Sequence, residues 1–189
     1  MPNLYIIAGC NGAGKTTSSF TVLPEIFNCK EFVNADEIAR GLSPFQPETV
    51  SFQAGRIMLH RIRELLGGKN DFGFETTRAT RSYVNLIAEA KEFGYNVVLI
   101  FFWLESVDLA LARVKARVEK GGHNIPSEVI KRRYNRGLEN FFDLYKKLAD
   151  RWAIYDNSNK VPIIVAEGNH SKEKFIYIDE RWEKINTKR

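Results

Sequence analysis

Two cysteines, Cys10 and Cys29, are all that a chain of 189 residues contains, too few for a multi-bridge disulfide framework and in keeping with a reducing cytoplasm. No apolar stretch approaches membrane-spanning length. The first eight residues lack the basic leader and the long apolar core of a signal peptide, so a soluble, unprocessed protein is expected. Internal repeats and low-complexity tracts are absent, which argues against a solenoid or a disordered array. No cluster of His and Cys has zinc-ligand spacing, so no structural zinc is expected. A basic tail is also missing. The formal net charge of +5 is spread along the chain, which favours phosphate as a partner and makes nucleic acid unlikely.

What is present is ordinary globular composition, 44% hydrophobic and 27% charged, enough to bury a core within one domain over residues 1–189. Short apolar runs at 4–8, 32–33, 72–75, 96–104, 152–155, 163–166 and 175–178 read as strands. Helical spacing of apolar residues covers 16–27, 47–66 with Gly67-Gly68 as its stop, 83–93, 107–120 and 127–149, and a polar helical tail follows the last strand. Strands that alternate with helices predict an α/β, three-layer fold around a mostly parallel central sheet. The continuous run at 96–104 predicts a strand covered on both faces. In such sheets ligands bind beyond the C-terminal ends of the strands.

One motif sits at that place. Gly9-Cys10-Asn11-Gly12-Ala13-Gly14-Lys15-Thr16 satisfies GxxxxGK[ST], with a strand before it and a helix after it. Gly9, Gly12 and Gly14 let backbone N–H groups converge on one point, and the following helix adds its positive dipole end. Lys15 supplies a charge for the terminal phosphates, and the Thr16 hydroxyl is placed for the Mg²⁺ that bridges them. Cys10, Asn11, Ala13 and Thr17 complete the candidate nucleotide-binding set, with ATP as the expected nucleotide.

Two acids follow strands. Asp36, after the second strand, is suited to accept the proton of a hydroxyl that attacks a γ-phosphate, or else to cap the helix that begins there, a role open equally to Asn34. Glu75, in Phe74-Glu75-Thr76-Thr77, is a candidate for metal or acceptor contact, since no run of four apolar residues leads to an aspartate in the usual Walker B manner. Thr77 is either an acceptor contact or a helix cap, and Arg78 and Arg81 stand close enough to reach an anionic substrate.

Arginines border the loop at 121–126. Arg113 and Arg117 lie four apart before it; Arg132, Arg133 and Arg136 come after it, on the side of their helix away from Ile130, Leu138, Phe141 and Tyr145. A glycine-hinged loop with arginines at its base can close over a nucleotide and stabilise the charge of the transferring group. His123, within Gly-Gly-His-Asn-Ile-Pro, is a candidate phosphate or substrate contact.

Taken together, the phosphate loop, Asn34-Ala35-Asp36, Phe74-Glu75-Thr76-Thr77, RVEKGGHNIP at 117–126, IKRRYNR at 130–136 and DRWAIYDNS at 150–158 resemble the zeta toxin-like kinases, over residues 3–168. The resemblance implies a nucleotide-kinase-like P-loop fold with a short arginine-flanked lid at 117–136, and the use of ATP and Mg²⁺. The best-known members of that family phosphorylate a hydroxyl of UDP-N-acetylglucosamine. Carried over by resemblance, Asp36 is the acceptor-activating base, Lys15 and Thr16 are phosphate and metal contacts, and Glu75 and Thr77 belong to the acceptor site. Alignment through Pro126 sets His123 opposite a toxin arginine and favours Arg117 and Arg136 over Arg132 and Arg133 as the charge stabilisers. An antitoxin protein becomes a candidate partner. The expected activity is thus transfer of a γ-phosphate to a small-molecule hydroxyl; the alternative is a regulatory P-loop NTPase that signals to a protein partner.

Overall fold

Alternation within two central strands sets up both apolar layers of the fold. In β1 (Asn3–Gly9), Leu4, Ile6 and Ala8 face one side, and Tyr5 and Ile7 the other; in β4 (Asn96–Trp103), Val97, Leu99 and Phe101 oppose Val98, Ile100 and Phe102. A strand that is apolar on both faces must be covered twice, and here helices cover it twice. The computed structural model describes residues 1–77, 81–122, 124–170 and 172–187.

The remaining strands are β2 (Glu31–Val33), β3 (Phe72–Thr76), β5 (Arg151–Asp156), β6 (Ile163–Asn169) and β7 (Lys172–Ile176). They form one sheet in the order β2-β3-β1-β4-β5-β6-β7. The first five strands in that order pair in parallel, and β6 and β7 extend the sheet antiparallel. The expected α/β fold with a mostly parallel sheet is therefore the fold of the chain.

Helices alternate with the strands: α1 (Lys15–Thr21), α2 (Ala35–Leu42), α3 (Ser51–Gly68), α4 (Tyr83–Glu92), α5 (Val107–Glu119), α6 (Ser127–Asn140), α7 (Lys146–Leu148) and α8 (Asp179–Thr187). Met58 and Ile62 of α3, Leu86 of α4, and Trp182 of α8 fill one layer. Ala110 and Val114 of α5, with Ile130 and Tyr134 of α6, fill the other. Among the described residues, no helix is long and apolar enough to cross a membrane.

Several boundaries differ from the sequence reading. Gly67-Gly68 does not stop α3; Lys69, at φ 53°, does. There the Tyr95 hydroxyl binds the carbonyls of Leu65 at 2.9 Å and Asn70 at 3.0 Å, satisfying a helix-end carbonyl from outside the helix. The helix read over 127–149 passes through a π-helical turn, Phe141–Tyr145, whose extra residue swings Phe141, Phe142 and Tyr145 into the core. The last strand is Lys172–Ile176, not 175–178, because this edge strand is exposed along its whole length and carries no burial pattern to read.

Trp152 of β5 joins the parallel part of the sheet to its antiparallel extension. Its ring is 2% exposed, lies edge-on to Phe141 at 5.8 Å and stacks on Trp182 at 6.0 Å, while its N–H donates to the His170 carbonyl at 2.8 Å. Trp152→Ala should lower stability by about 3–5 kcal/mol, read as a reduced urea midpoint at unchanged slope.

Candidate active site

Strand register brings distant residues to one sheet edge. Ala8 pairs with Thr76, Gly9 with Phe102 and Val33 with Phe74, so the C-terminal ends of β1, β2 and β3 share an edge. The glycine-rich loop leaves β1 there and enters α1.

The glycines are needed where the loop packs most closely. Gly9 adopts φ 142°, and a Cβ on it would lie 2.3 Å from the Phe102 carbonyl oxygen; Gly14 adopts φ 77°, and its Cβ would lie 2.4 Å from Asn157 Nδ2. Asn157 is buried, and its side chain donates to the Ala13 carbonyl at 2.7 Å while its backbone N–H donates to Trp103 O at 2.9 Å. The Arg113 guanidinium donates to the carbonyls of Asn157 at 2.7 Å and Ser158 at 2.9 Å. The segment after β5 thus braces the loop from outside, and Arg113 braces that segment. Sequence reasoning did not single out Asn157; its only signal was its place in the DRWAIYDNS segment.

Inside the loop a polar network joins three strands. Lys15 is buried, donates from Nζ to the Cys10 carbonyl at 2.9 Å and lies 3.5 Å from Glu75 Oε1. Glu75 Oε2 accepts from the Thr16 hydroxyl at 2.6 Å and from Asn34 Nδ2 at 2.8 Å. Lys15, Thr16 and Asn34 thus surround one carboxylate with donors, which leaves no buried charge unpaired. Burial pushes the Cys10 thiol up to about 11, so it remains neutral and adds no negative charge beneath the loop.

Asn34, not Asp36, caps α2. Its Oδ1 accepts from the backbone N–H of Asp36 at 2.8 Å and of Glu37 at 3.4 Å, and its own backbone is extended, as an N-cap requires. Asp36 therefore sits in the first turn, and its exposed side chain lines the cavity.

That cavity measures about 640 Å³. Lys15, Thr16, Thr17, Asp36, Glu75 and Arg117 all line it, as do Asn11, Gly12, Gly14 and Arg113. Gly9, Cys10 and Ala13 do not line it and instead form the buried base of the loop. Thr77 is half-buried with its carbonyl against Gly137, and Arg81 is exposed ahead of α4; neither lines the cavity. His123 and Arg78 lie outside the described residues.

The arginines of α6 sort differently from the sequence reading. Arg136 and Arg132 are exposed, and neither lines the cavity. Arg133 does not line the cavity either, but it is half-buried and donates to Asn11 Oδ1 at 3.0 Å, on the phosphate loop. Burial lowers its pKa, and the nearby Asp36 carboxylate acts in the opposite sense. A guanidinium so placed stays charged. The reason is angular: Arg133 stands three residues after Ile130 and four before Gly137, at the margin of the buried stripe, whereas Arg132 and Arg136 share the outer face. Reading all three as facing away from the core missed this.

Three comparisons bear on this geometry. A family model for Zeta toxin matches residues 1–168. An uncharacterised protein of Haemophilus influenzae is 32% identical over 129 residues, 67% of this chain and 88% of that protein. Among solved structures, the AvrRxo1-ORF1:-ORF2 complex with ATP matches 100% of this chain at a TM-score of 0.75 and 17% identity; this chain spans 64% of the length of that one. A chain of the PezAT chromosomal toxin-antitoxin system of Streptococcus pneumoniae matches at a TM-score of 0.69 and 15% identity, with 100% of this chain and 84% of that one covered. At such identities the two solved structures share the fold with this chain.

Proposed function

From the premise that the chain belongs to the zeta toxin family, matched over residues 1–168, we propose that it is an ATP-dependent kinase that phosphorylates a hydroxyl group of a small molecule. One observation carries the reading: the Asp36 carboxylate, relieved of capping by Asn34, lines the same cavity as Lys15, Thr16 and Glu75 of the phosphate-loop network. A regulatory NTPase has no need for a second carboxylate in that cavity, here from the first turn of α2.

In this reading the triphosphate lies along the backbone N–H groups of residues 12–16, and Lys15 exchanges the Cys10 carbonyl for a phosphate oxygen. The acceptor oxygen attacks the γ-phosphorus, the bond to the β-phosphate oxygen breaks, Asp36 takes the hydroxyl proton, and ADP leaves. Arg133 and Arg117 offset the charge that develops on the transferring group.

The donors present fit Mg²⁺: the Thr16 hydroxyl and a Glu75 carboxylate oxygen adjoin, and no group of three or more acidic, His or Cys side chains converges among the described residues. This ion takes few protein ligands and completes its shell with water and phosphate. Thr16 and Glu75 would hold it, and it would neutralise charge on the phosphate oxygens.

UDP-N-acetylglucosamine is the acceptor suggested by the family resemblance, and an antitoxin protein the partner. The matched PezAT relative is part of a toxin-antitoxin system, which supports testing for such a partner. The test of the kinase reading is incubation with ATP, Mg²⁺ and hydroxyl compounds, with ADP and phosphorylated product followed by mass. Product lost in Asp36→Asn supports it; ADP release without product, equal in the variant, overturns it in favour of the regulatory NTPase. Within the same assay, Arg133→Ala should cost about 10²- to 10³-fold in kcat, as removal of one charge-stabilising donor does. Arg136→Ala should cost no more than a few-fold, in line with the ordinary effect of an exposed substitution.

A further inference from the structure

A buried carboxylate ties the C-terminal helix to the phosphate loop. Asp156, the last residue of β5, is 1% exposed. Its Oδ1 accepts from the Ser158 backbone N–H at 2.8 Å and from the Ser158 hydroxyl, which closes a turn around Asn157. Ser158 is fixed in turn, because its Oγ accepts from the Glu105 N–H at 2.8 Å. Within that turn the Asn157 side chain reaches the Ala13 carbonyl. The other oxygen of Asp156, Oδ2, is sealed from solvent, accepts no hydrogen bond among the described residues, and has the Arg181 guanidinium of α8 as its ion partner. Taking away one partner of such a pair leaves an uncompensated buried charge. α8 does not depend on the pair to stay in place. Trp182 is buried and stacks on Trp152, Ile185 is fully buried, and the Lys146 ammonium lies 4.6 Å from the Trp152 ring and 5.6 Å from the Trp182 ring.

Resting on the nucleotide site of the kinase reading, we infer that Arg181 is a positioning residue for ATP: by balancing Asp156 it holds the turn at 156–158, and through Asn157 the shape of the phosphate loop. The Ala13 carbonyl stands between Gly12 and Gly14, whose positive φ angles turn the N–H groups of the loop toward one point. Without Arg181 the Asp156 charge is buried and unmatched, and its release is to swing toward water. That movement gives up the bonds to Ser158 and draws Asn157 off Ala13. The loop then loses part of its outer brace and must be ordered by ATP on binding, which costs affinity and spares the chemical step. α8 lies beyond residue 168, where the match to the family model ends, so this hold on the phosphate loop comes from outside the matched segment.

The test reads ATP affinity, as KM for ATP in the product assay and as binding of a fluorescent ATP analogue, beside the urea midpoint of each variant. Arg181→Met should raise KM for ATP and weaken analogue binding by about tenfold, with kcat within a few-fold of the parent. Arg181→Met combined with Asp156→Asn should return both to within a few-fold of the parent, because the amide still offers Oδ1 to Ser158 and needs no ion partner. This double variant also decides the matter if Arg181→Met fails to fold: analogue binding about tenfold weaker than the parent would overturn the route through Asp156. Asn157→Ala should weaken the analogue at least as much, and adding Arg181→Met to it should change little, since both act on one contact. Ile185→Ala, on the same helix, should lower the urea midpoint and leave KM for ATP unmoved. Parental ATP affinity in Arg181→Met, an equal loss in Ile185→Ala, or full additivity with Asn157→Ala would each overturn the inference and leave the kinase reading standing. Absence of phosphorylated product from the parent protein, with ADP release equal in Asp36→Asn, would overturn the kinase reading, while analogue binding still decides the role of Arg181.

Discussion

Asp36→Asn should leave ATP affinity within a few-fold of the parent and lower kcat for phosphoryl transfer by about 10³-fold, the range seen when a positioned general base is lost. Asparagine keeps the shape of the side chain and cannot take a proton. It leaves α2 intact, because the capping acceptor is Asn34 Oδ1 and the contact at residue 36 is a backbone N–H. The readings that separate the effects are single-turnover product formation and binding of a fluorescent ATP analogue. A fall in kcat without a change in ATP binding marks an interaction made in the transition state. If the variant transferred phosphate at the parental rate, Asp36 would have no role as the base.

The second large effect is expected at Lys15. Lys15→Met keeps most of the side-chain volume while removing the charge, and should lower kcat/KM by about three orders of magnitude, with much of the loss in ATP affinity. Lys15 is 5% exposed, and its ammonium lies 2.9 Å from the Cys10 carbonyl and 3.5 Å from Glu75. After substitution Glu75 still accepts from Thr16 and Asn34, so the loop should remain folded. Lys15→Arg should not restore activity, because a planar fork does not replace a compact ammonium among close-packed backbone groups. Binding of the ATP analogue at parental strength to Lys15→Met would remove the phosphate contact assigned to this lysine.

These two residues differ in how openly the sequence declares them. Lys15 belongs to eight contiguous residues whose glycines, strand and helix are all local, so motif and context can be read together. Asp36 was legible as an acid after a strand, but its separation from the cap needed backbone geometry, since Asn34 and Asp36 are equally good caps by residue type. Glu75 was legible only as an acid near a strand end. Its partnership with Thr16 spans 59 residues and depends on β3 lying beside β1 in a register that pairs Ile7 with Glu75.

Arg133 and Asn157 were harder. A helical wheel assigns Arg132, Arg133 and Arg136 to a polar face, but one at the margin of that face can turn inward, and the position of the phosphate loop decides which does. Asn157 reaches the Ala13 carbonyl across 144 residues, a contact without a local pattern.

By itself the sequence determined the elements built from periodic burial, the α/β alternation and the phosphate loop, because each depends on neighbours within a few turns or a single strand. The tertiary structure alone decided which acid stands beside Thr16, which arginine touches the loop, and what braces Gly14. Those depend on sheet order and helix rotation, which are set by how two apolar faces of the same strands are covered by segments far away in the chain.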